Sequence, residues 1–290
     1  MKKYCILLYN RMWDQPFEFN GLGVPTNFFF TTDHIYIQSA DVIVFHMPSL
    51  AANIDLKKRE GQLWVFWSME CDVNYPYLHQ QKVLQLFDIF MTYSAESDVH
   101  TPYLLYAHKD KLRQPPANKN NFVNAFISSS CNQSKRQHYL ESLMSLIKID
   151  SYGKLFNNKK INADNGFESK MNIISSYKFT LAFENAISKD YVTEKLYDPL
   201  MAGSVPVYMG APNVEEYLPA HKCIINIDSF TSVNELAAYL QYLDENDVKY
   251  QAYLSWKQLP YKPEFLNKLE QLRLPPFIRL CDVIEKRIKK

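Results

Sequence analysis

Residues 183–213 read FENAISKDYVTEKLYDPLMAGSVPVYMGAPN, and this stretch is typical of a strand–helix–strand unit. An apolar strand ends at Phe183, and a second buried strand is expected at Val205–Gly210. Between them, the polar segment Asp190–Lys195 opens a predicted helix. Polar groups that lie where strands end and helices begin bind nucleotides in open α/β sheets. The stretch therefore predicts a ligand site at the edge of a parallel sheet.

The rest of the chain shows the same alternation of strands and helices. Short runs rich in β-branched and aromatic residues predict buried parallel strands at 5–10, 41–46, 63–67, 87–93, 122–128, 148–152, 177–183, 205–210 and 223–227. Helices are expected at 134–146, 191–202 and 233–243. The polar segment Lys109–Asn121 contains two prolines and interrupts the pattern, as a linker does. We therefore predict an α/β fold with two domains, at 1–115 and 116–290, and a C-terminal helix that packs back on the first domain.

Composition excludes several classes of partner. The chain has 290 residues and a net charge of +1, which gives no long-range field for nucleic acid. Its five cysteines are scattered and odd in number, so reduced thiols in a cytoplasm are expected. The apolar run at 5–9 is too short for a signal peptide, and no run of about 18 apolar residues predicts a membrane span. We therefore expect a cytoplasmic protein.

The segment 277–290 is basic and amphipathic. Its apolar stripe consists of Ile278, Val283, Ile284 and Ile288. The first interpretation is a closing helix that packs on the body of the protein. The alternative is weak contact with a membrane surface, which would place the protein peripherally at an inner membrane.

Several catalytic motifs are missing from the chain. It has only seven glycines, and Gly21-Leu22-Gly23 lacks the third glycine of a dinucleotide fingerprint. Walker A, His-x-x-x-His and Gly-x-Ser-x-Gly patterns do not occur. These absences disfavour dehydrogenases, P-loop enzymes, zinc hydrolases and serine hydrolases. No Asp-x-Asp pair is present either, so we predict neither a bound metal nor another cofactor.

The start of the predicted helix at 191–202 suits a ligand that carries both an anion and hydroxyls. Asp190 is expected to cap a helix that begins at Tyr191. The helix dipole and the charge of Lys195 favour an anion, while the Glu194 carboxylate accepts hydrogen bonds from hydroxyls. A nucleotide sugar has both kinds of group. The alternative is an ordinary surface pair of Glu194 and Lys195.

Two further positions are candidates. Arg136 follows the serine-rich turn Ser128–Ser130, where Ser128 and the guanidinium are placed to donate to a phosphate; the alternative is a solvated helix arginine. Glu70 comes directly after the strand at 63–67, at its carboxyl end. Aromatic residues behind a carboxylate desolvate it, which raises its pKa and makes it a better base. The alternative for Glu70 is a loop glutamate in water.

Together these segments resemble the α-1,3-fucosyltransferase family, inverting glycosyltransferases that use GDP-fucose. The resemblance rests on FENAISKDYVTEKL and SVPVYMGAPN, and also on YKFTLAFEN, SKRQHYLESL, IDSYGK, GQLWVFWSMEC and MTYSAESDVHTPYL in the same order. It extends from about residue 30 to the end and is greatest to soluble bacterial members. It implies the GT-B architecture, two Rossmann-like domains whose parallel sheets face an interdomain cleft. The acceptor is then expected in the first domain and GDP-fucose in the second.

The resemblance also implies roles for individual residues. The predicted donor-binding residues are Ser128, Arg136, Asn185, Tyr191, Glu194 and Lys195, of which Arg136 and Lys195 would neutralise the diphosphate. Glu70 is expected to be the general base of a single inverting displacement. The family needs no metal, which agrees with the absence of Asp-x-Asp. Many members have Ser-Pro where Cys71-Asp72 follows Glu70 here, so the loop is expected to differ locally.

The expected acceptor is a glycan that contains galactose and GlcNAc. In the family, fucose commonly goes to the 3-hydroxyl of GlcNAc in N-acetyllactosamine, giving a Lewis X type product, and bacterial members build it on surface polysaccharide. Three alternatives remain: transfer to the 4-hydroxyl, a different nucleotide-sugar donor, or a protein of the same fold that binds nucleotide sugars or glycans without catalysis.

Overall fold

The computed structural model describes residues 3–13, 15–19, 23–50, 54 and 56–289. Gly21 and Leu22 of the incomplete glycine motif lie outside these residues. The chain divides into two compact units, the first formed by Met1–Pro102 with Leu272–Lys290 and the second by Tyr103–Gln271. The predicted division at residue 115 thus falls inside the second unit, and the C-terminal segment belongs to the first.

The elements are numbered in chain order. The strands are β1 (Tyr4–Leu8), β2 (Phe28–Thr31), β3 (Val42–His46), β4 (Leu63–Ser68), β5 (Ile89–Thr92), β6 (Val99–His100), β7 (Asn121–Ala125), β8 (Ile149–Ser151), β9 (Tyr177–Phe183), β10 (Val205–Met209) and β11 (Ile225–Asn226). The α-helices are α1 (Gln81–Leu84), α2 (His108–Lys111), α3 (Arg136–Met144), α4 (Phe167–Ser175), α5 (Glu194–Ala202), α6 (Val233–Glu245), α7 (Asp247–Gln251), α8 (Pro263–Gln271) and α9 (Pro276–Ile288). Short 3-10 helices lie at His34–Tyr36, Met47–Ser49, Asp72–Asn74, Pro76–His79, Val214–Tyr217, Ile227–Ser229 and Ser255–Gln258.

The first unit is built on a parallel sheet with the strand order β2-β1-β3-β4-β5-β6. Side chains alternate between the two faces of the sheet along each strand, and a buried core cluster covers each face. On β4, Val65 and Trp67 join the core cluster of one face, and Trp64 and Phe66 join that of the other face. This double burial explains why β4 is apolar along nearly its whole length.

The closing helix α9 packs on the first of these faces. Leu280 and Ile284 are fully buried there, and Ile278 is 8% exposed, whereas Ile288 at the end is 36% exposed. Burying a leucine or isoleucine contributes about 1.5–3 kcal/mol. The apolar stripe of this segment therefore packs on a sheet, as the first interpretation predicted. Within the described residues, no helix is both long enough and apolar enough to cross a bilayer.

The second unit contains a parallel sheet with the strand order β11-β10-β9-β7-β8. Strands β9 and β10 lie at its centre and are buried along almost their whole length. Helix α5 contacts both of them through its apolar face, on which Leu196 and Leu200 are buried. The helix ends at Gly203, whose φ of 75° is the left-handed conformation that glycine adopts without strain. These two units, each with an all-parallel sheet, confirm the predicted α/β fold class.

Candidate functional site

The turn that follows β9 is held by the start of α3. Ser134 Oγ donates to the carbonyl oxygen of Glu184 at 2.6 Å, and its backbone N–H donates to that of Asn185 at 3.2 Å. The Arg136 guanidinium donates to the carbonyl oxygen of Phe183 at 3.0 Å. Three consecutive carbonyls at the carboxyl end of β9 are therefore fixed by one neighbouring segment.

The Glu184 carboxylate organises the start of α5. Its side chain is fully buried and accepts hydrogen bonds from Thr193, from the backbone N–H at 2.8 Å and from Oγ1 at 2.7 Å. The Lys195 ammonium lies 3.4 Å from the Glu184 carboxylate. Burial raises the pKa of Glu184, and Lys195 opposes this shift. Glu184 was not among the predicted site residues, although its place directly after a buried strand was the available signal.

Gly210 is required beside this carboxylate. A Cβ atom at position 210 would lie 2.6 Å from Glu184 Cγ and would also clash with the Tyr208 hydroxyl oxygen. The same hydroxyl accepts a hydrogen bond from the Ala211 backbone N–H at 2.9 Å. The glycine after β10 therefore leaves the space that Glu184 occupies.

The predicted cap of α5 is wrong. The helix begins at Glu194, and its N-cap is Thr193, whose side chain accepts from the Lys195 backbone N–H. Asp190 instead has a left-handed backbone with a φ of 66°. Its carboxylate accepts from the Asn213 amide at 2.9 Å and from the Tyr217 hydroxyl at 2.7 Å. Because those groups come from a later segment of the chain, Asp190 fixes the turn before the helix and not the helix itself.

Lys195 and Glu194 lie at the helix start, where anions are favoured. Lys195 Nζ is 3.0 Å from a Glu194 carboxylate oxygen, and the two side chains are 21% and 44% exposed. Burial lowers the pKa of Lys195, but Glu184 and Glu194 outweigh it, and the net pKa is raised. Lys195 therefore presents a partly exposed ammonium at the positive end of a helix dipole.

Arg136 is not the solvated arginine of the alternative interpretation. It is 1% exposed, and its Nη2 donates to the carbonyl oxygens of Ser129 at 3.0 Å and Cys131 at 3.2 Å. Burial lowers its pKa. Its Nε is buried and has no hydrogen-bond partner among the described residues. Arg136 thus places a cation behind the site while its guanidinium holds backbone carbonyls.

The structure brings four of the predicted donor residues together. Arg136 interacts electrostatically with Tyr191, Glu194 and Lys195. Tyr191 is 1% exposed, and its ring meets that of Tyr103 edge-on with centroids 6.3 Å apart. These residues form one charged cluster at the carboxyl end of β9.

The other two predicted donor residues lie on the loops nearby. Asn185 follows β9 and is 8% exposed. Ser128 is exposed after β7, and its Oγ accepts from the Lys154 backbone N–H at 3.2 Å. A further cation, Lys170 of α4, pairs with buried Asp198 at 2.7 Å and also acts on Glu194. Lys170 was not among the predicted site residues, because it lies in no local motif.

Glu70 lies where the sequence predicts it, directly after β4 in the first unit. It is half-buried, and its backbone N–H donates to Ser68 Oγ at 3.2 Å. The following Cys71 is fully buried, and the Asp72 carboxylate accepts from the Tyr93 hydroxyl at 3.1 Å. The Cys71-Asp72 pair is therefore accommodated by packing and by a tyrosine that follows the neighbouring strand β5. Across the residues that the structure describes, no cluster of three His, Cys, Asp or Glu side chains is arranged to hold a metal.

The comparisons with known proteins identify the class. Residues 1–104 match the family model described as fucosyltransferase, N-terminal, and residues 116–290 match that of glycosyltransferase family 10 (fucosyltransferase), C-terminal. The chain belongs to glycosyltransferase family 10, the fucosyltransferases.

Similar proteins of known name include animal and plant proteins. GDP-fucose protein O-fucosyltransferase 3 of Xenopus laevis is 36% identical and matches 79% of this chain, and that of Homo sapiens is 34% identical over 79%. A putative fucosyltransferase-like protein of Arabidopsis thaliana is 34% identical over 82%. The matched part is 53%, 52% and 46% of these relatives, so the chain spans about half of their length. We expected the similarity to be greatest to bacterial members, but these relatives are eukaryotic proteins.

Solved structures show the same fold. A crystal structure of an alpha1,3-fucosyltransferase with GDP-fucose superposes with a TM-score of 0.65 and 16% identity, over 98% of this chain and 91% of that one. A second alpha1,3-fucosyltransferase structure gives 0.60 and 18% identity, over 90% of this chain and 82% of that one. The chain therefore has the GT-B fold of two Rossmann-like units, as the resemblance implied.

Proposed function

We propose that this protein transfers fucose from GDP-fucose, with inversion, to a hydroxyl of an acceptor. The observation that carries the proposal is the Lys195 ammonium at the start of α5, held by Glu184 beside Arg136. A nucleoside diphosphate is the leaving group that such a cluster of cations and helix amides stabilises. Family membership and the structural match to an enzyme with GDP-fucose support the same donor.

The proposed reaction is a single displacement. Glu70 takes the proton from the acceptor hydroxyl, and the oxygen attacks the anomeric carbon of fucose as the bond to the diphosphate breaks. Lys195, Arg136 and the α5 amides stabilise the negative charge that develops on GDP. Glu194 faces the cationic, oxocarbenium-like sugar and accepts from its hydroxyls. The β-linked donor then gives an α-fucoside.

Lys195→Ala is expected to weaken GDP binding at least about tenfold, because it removes a full positive charge from the helix start. Isothermal titration calorimetry with GDP measures the affinity. Lys222→Ala, which removes a lysine whose ammonium lies over the Tyr253 ring at 5.3 Å in the same unit, is the control and should leave the affinity unchanged. An unchanged GDP affinity in Lys195→Ala would refute its role at the diphosphate.

Two classes of acceptor have separate support. The relatives at 34–36% identity are named protein O-fucosyltransferases, which favours a serine or threonine hydroxyl of a protein. The resemblance to the α-1,3-fucosyltransferase family favours the 3-hydroxyl of GlcNAc in N-acetyllactosamine, and the 4-hydroxyl is the alternative on the same sugar.

A panel of donors and acceptors tests the proposed function. GDP-fucose, GDP-mannose and UDP-sugars are offered with N-acetyllactosamine or with a folded glycan-free protein, and released nucleotide and fucosylated product are measured. We expect GDP release and product only with GDP-fucose, undiminished by EDTA because we propose metal-free catalysis. Nucleotide binding without any turnover would instead indicate a non-catalytic binding protein. A cytoplasmic location stays a prediction.

A further inference from the structure

Trp13 occupies a position that is unusual for tryptophan, both in its exposure to solvent and in its backbone conformation. Its side chain is 45% exposed, although an indole is among the largest apolar groups. Its φ is 50°, in the left-handed region that bulky residues avoid. Residues kept in such a conformation concentrate at sites of function. Trp13 therefore calls for a functional explanation.

The backbone holds Trp13 in this position. The Gln15 backbone N–H donates to the Met12 carbonyl oxygen at 2.9 Å. The Trp13 backbone N–H donates to Ser49 Oγ at 3.0 Å. These hydrogen bonds therefore hold the backbone of Met12, Trp13 and Gln15.

This segment is tied to the carboxyl edge of the first sheet. Strand β3 pairs with β1 on one side and β4 on the other. Asn10, just after β1, accepts from the His46 backbone N–H at 3.0 Å and donates to the His46 carbonyl oxygen at 2.8 Å. Glu70 follows β4 at this same edge. Trp13 and Glu70 are therefore carried by strands on either side of β3.

The His46 ring packs against the Trp13 indole. The two rings meet edge-on with centroids 5.5 Å apart, and the Trp67 ring meets that of His46 edge-on with centroids 4.9 Å apart. His46 is 2% exposed, and its Nδ1 is hydrogen-bonded with Ser49 Oγ at 2.8 Å. Burial lowers its pKa to about 4, so the imidazole is neutral near pH 7. The exposed indole therefore packs against a polar but uncharged imidazole.

We propose that the Trp13 ring is the stacking surface for a sugar ring of the acceptor, which it orients toward Glu70. A pyranose has a face of C–H bonds, which packs on the negative face of an indole. The inference rests on the proposed fucosyl transfer and chooses a saccharide over a protein hydroxyl as its acceptor.

The kinetic test compares Trp13→Ala and Trp13→Phe with the wild type, using GDP-fucose and N-acetyllactosamine. Loss of an aromatic stacking contact should raise the KM for the acceptor about tenfold in Trp13→Ala, with phenylalanine restoring most of the loss. The KM for GDP-fucose and the slow hydrolysis of GDP-fucose by water should not change. Tyr242→Ala, which removes a 46% exposed aromatic ring from α6, is the control and should match the wild type.

A binding test needs no turnover and so separates this inference from the proposed function. Saturation-transfer NMR with N-acetyllactosamine and GDP should show contact in the wild type and in Tyr242→Ala, and a strongly reduced signal in Trp13→Ala. Undiminished contact in Trp13→Ala overturns the inference, as does the absence of contact in the wild type, including the case in which a protein acceptor is fucosylated. The proposed fucosyl transfer fails separately, when no acceptor takes fucose from GDP-fucose.

Discussion

Glu70→Gln is expected to lower the turnover of fucosyl transfer by at least about 10²-fold while the protein folds normally. Glutamine has nearly the same shape, and the backbone contact of residue 70 with Ser68 does not depend on the carboxylate. The amide cannot accept the proton of the acceptor hydroxyl, so the transition state loses its base. Steady-state release of GDP in the presence of acceptor measures the loss.

The expected pattern for Glu70→Gln is a loss of kcat with little change in GDP affinity, because Glu70 belongs to the first unit and the proposed donor cluster to the second. Glu60→Gln, in the exposed turn before β4, is the matched control and should retain full turnover. Near-normal turnover in Glu70→Gln would remove Glu70 as the base.

Glu184→Ala is expected to lower the free energy of unfolding by about 3 kcal/mol. The substitution leaves the Thr193 N–H and hydroxyl without their acceptor and removes the fully buried partner of Lys195. It also releases the N-cap of α5, so GDP affinity should fall together with stability. Urea unfolding followed by circular dichroism measures the first quantity, and calorimetry with GDP the second.

Glu194→Ala is the matched control, because Glu194 also pairs with Lys195 but is 44% exposed. Exposed pairs contribute little, so the stability of this variant should stay within about 1 kcal/mol of the wild type. If both variants lost equal stability, Glu184 would be no more than another surface partner of Lys195.

Elements with local signals could be predicted from the sequence. Continuous apolar runs indicate buried parallel strands, so β4 and β9 lie within about one residue of their expected bounds. Glu70 was found for the same reason, since its place after β4 depends only on where an apolar run stops. The carboxyl ends of these strands consequently mark both candidate regions.

Features that depend on distant partners could not be predicted. Asp190 looks like a helix cap, yet Asn213 and Tyr217 hold its carboxylate, and these partners lie beyond β10. The sequence around Arg136 suggests a surface residue, but its side chain is buried and its guanidinium donates to the carbonyl oxygen of Phe183 at the end of β9. Hydrogen bonds across such sequence separations leave no periodic pattern, so propensity and spacing give the wrong environment.

The division of the chain has a consequence for its biosynthesis. The sheet that bears Glu70 is made first, but α9, which buries one of its faces with Leu280 and Ile284, is made only after the whole second unit. Domains tend to fold in the order in which they leave the ribosome. Here the sheet made first keeps an uncovered apolar face until the ribosome has passed Ile284. A chain that ends before Leu272 should therefore expose this apolar face of the first unit.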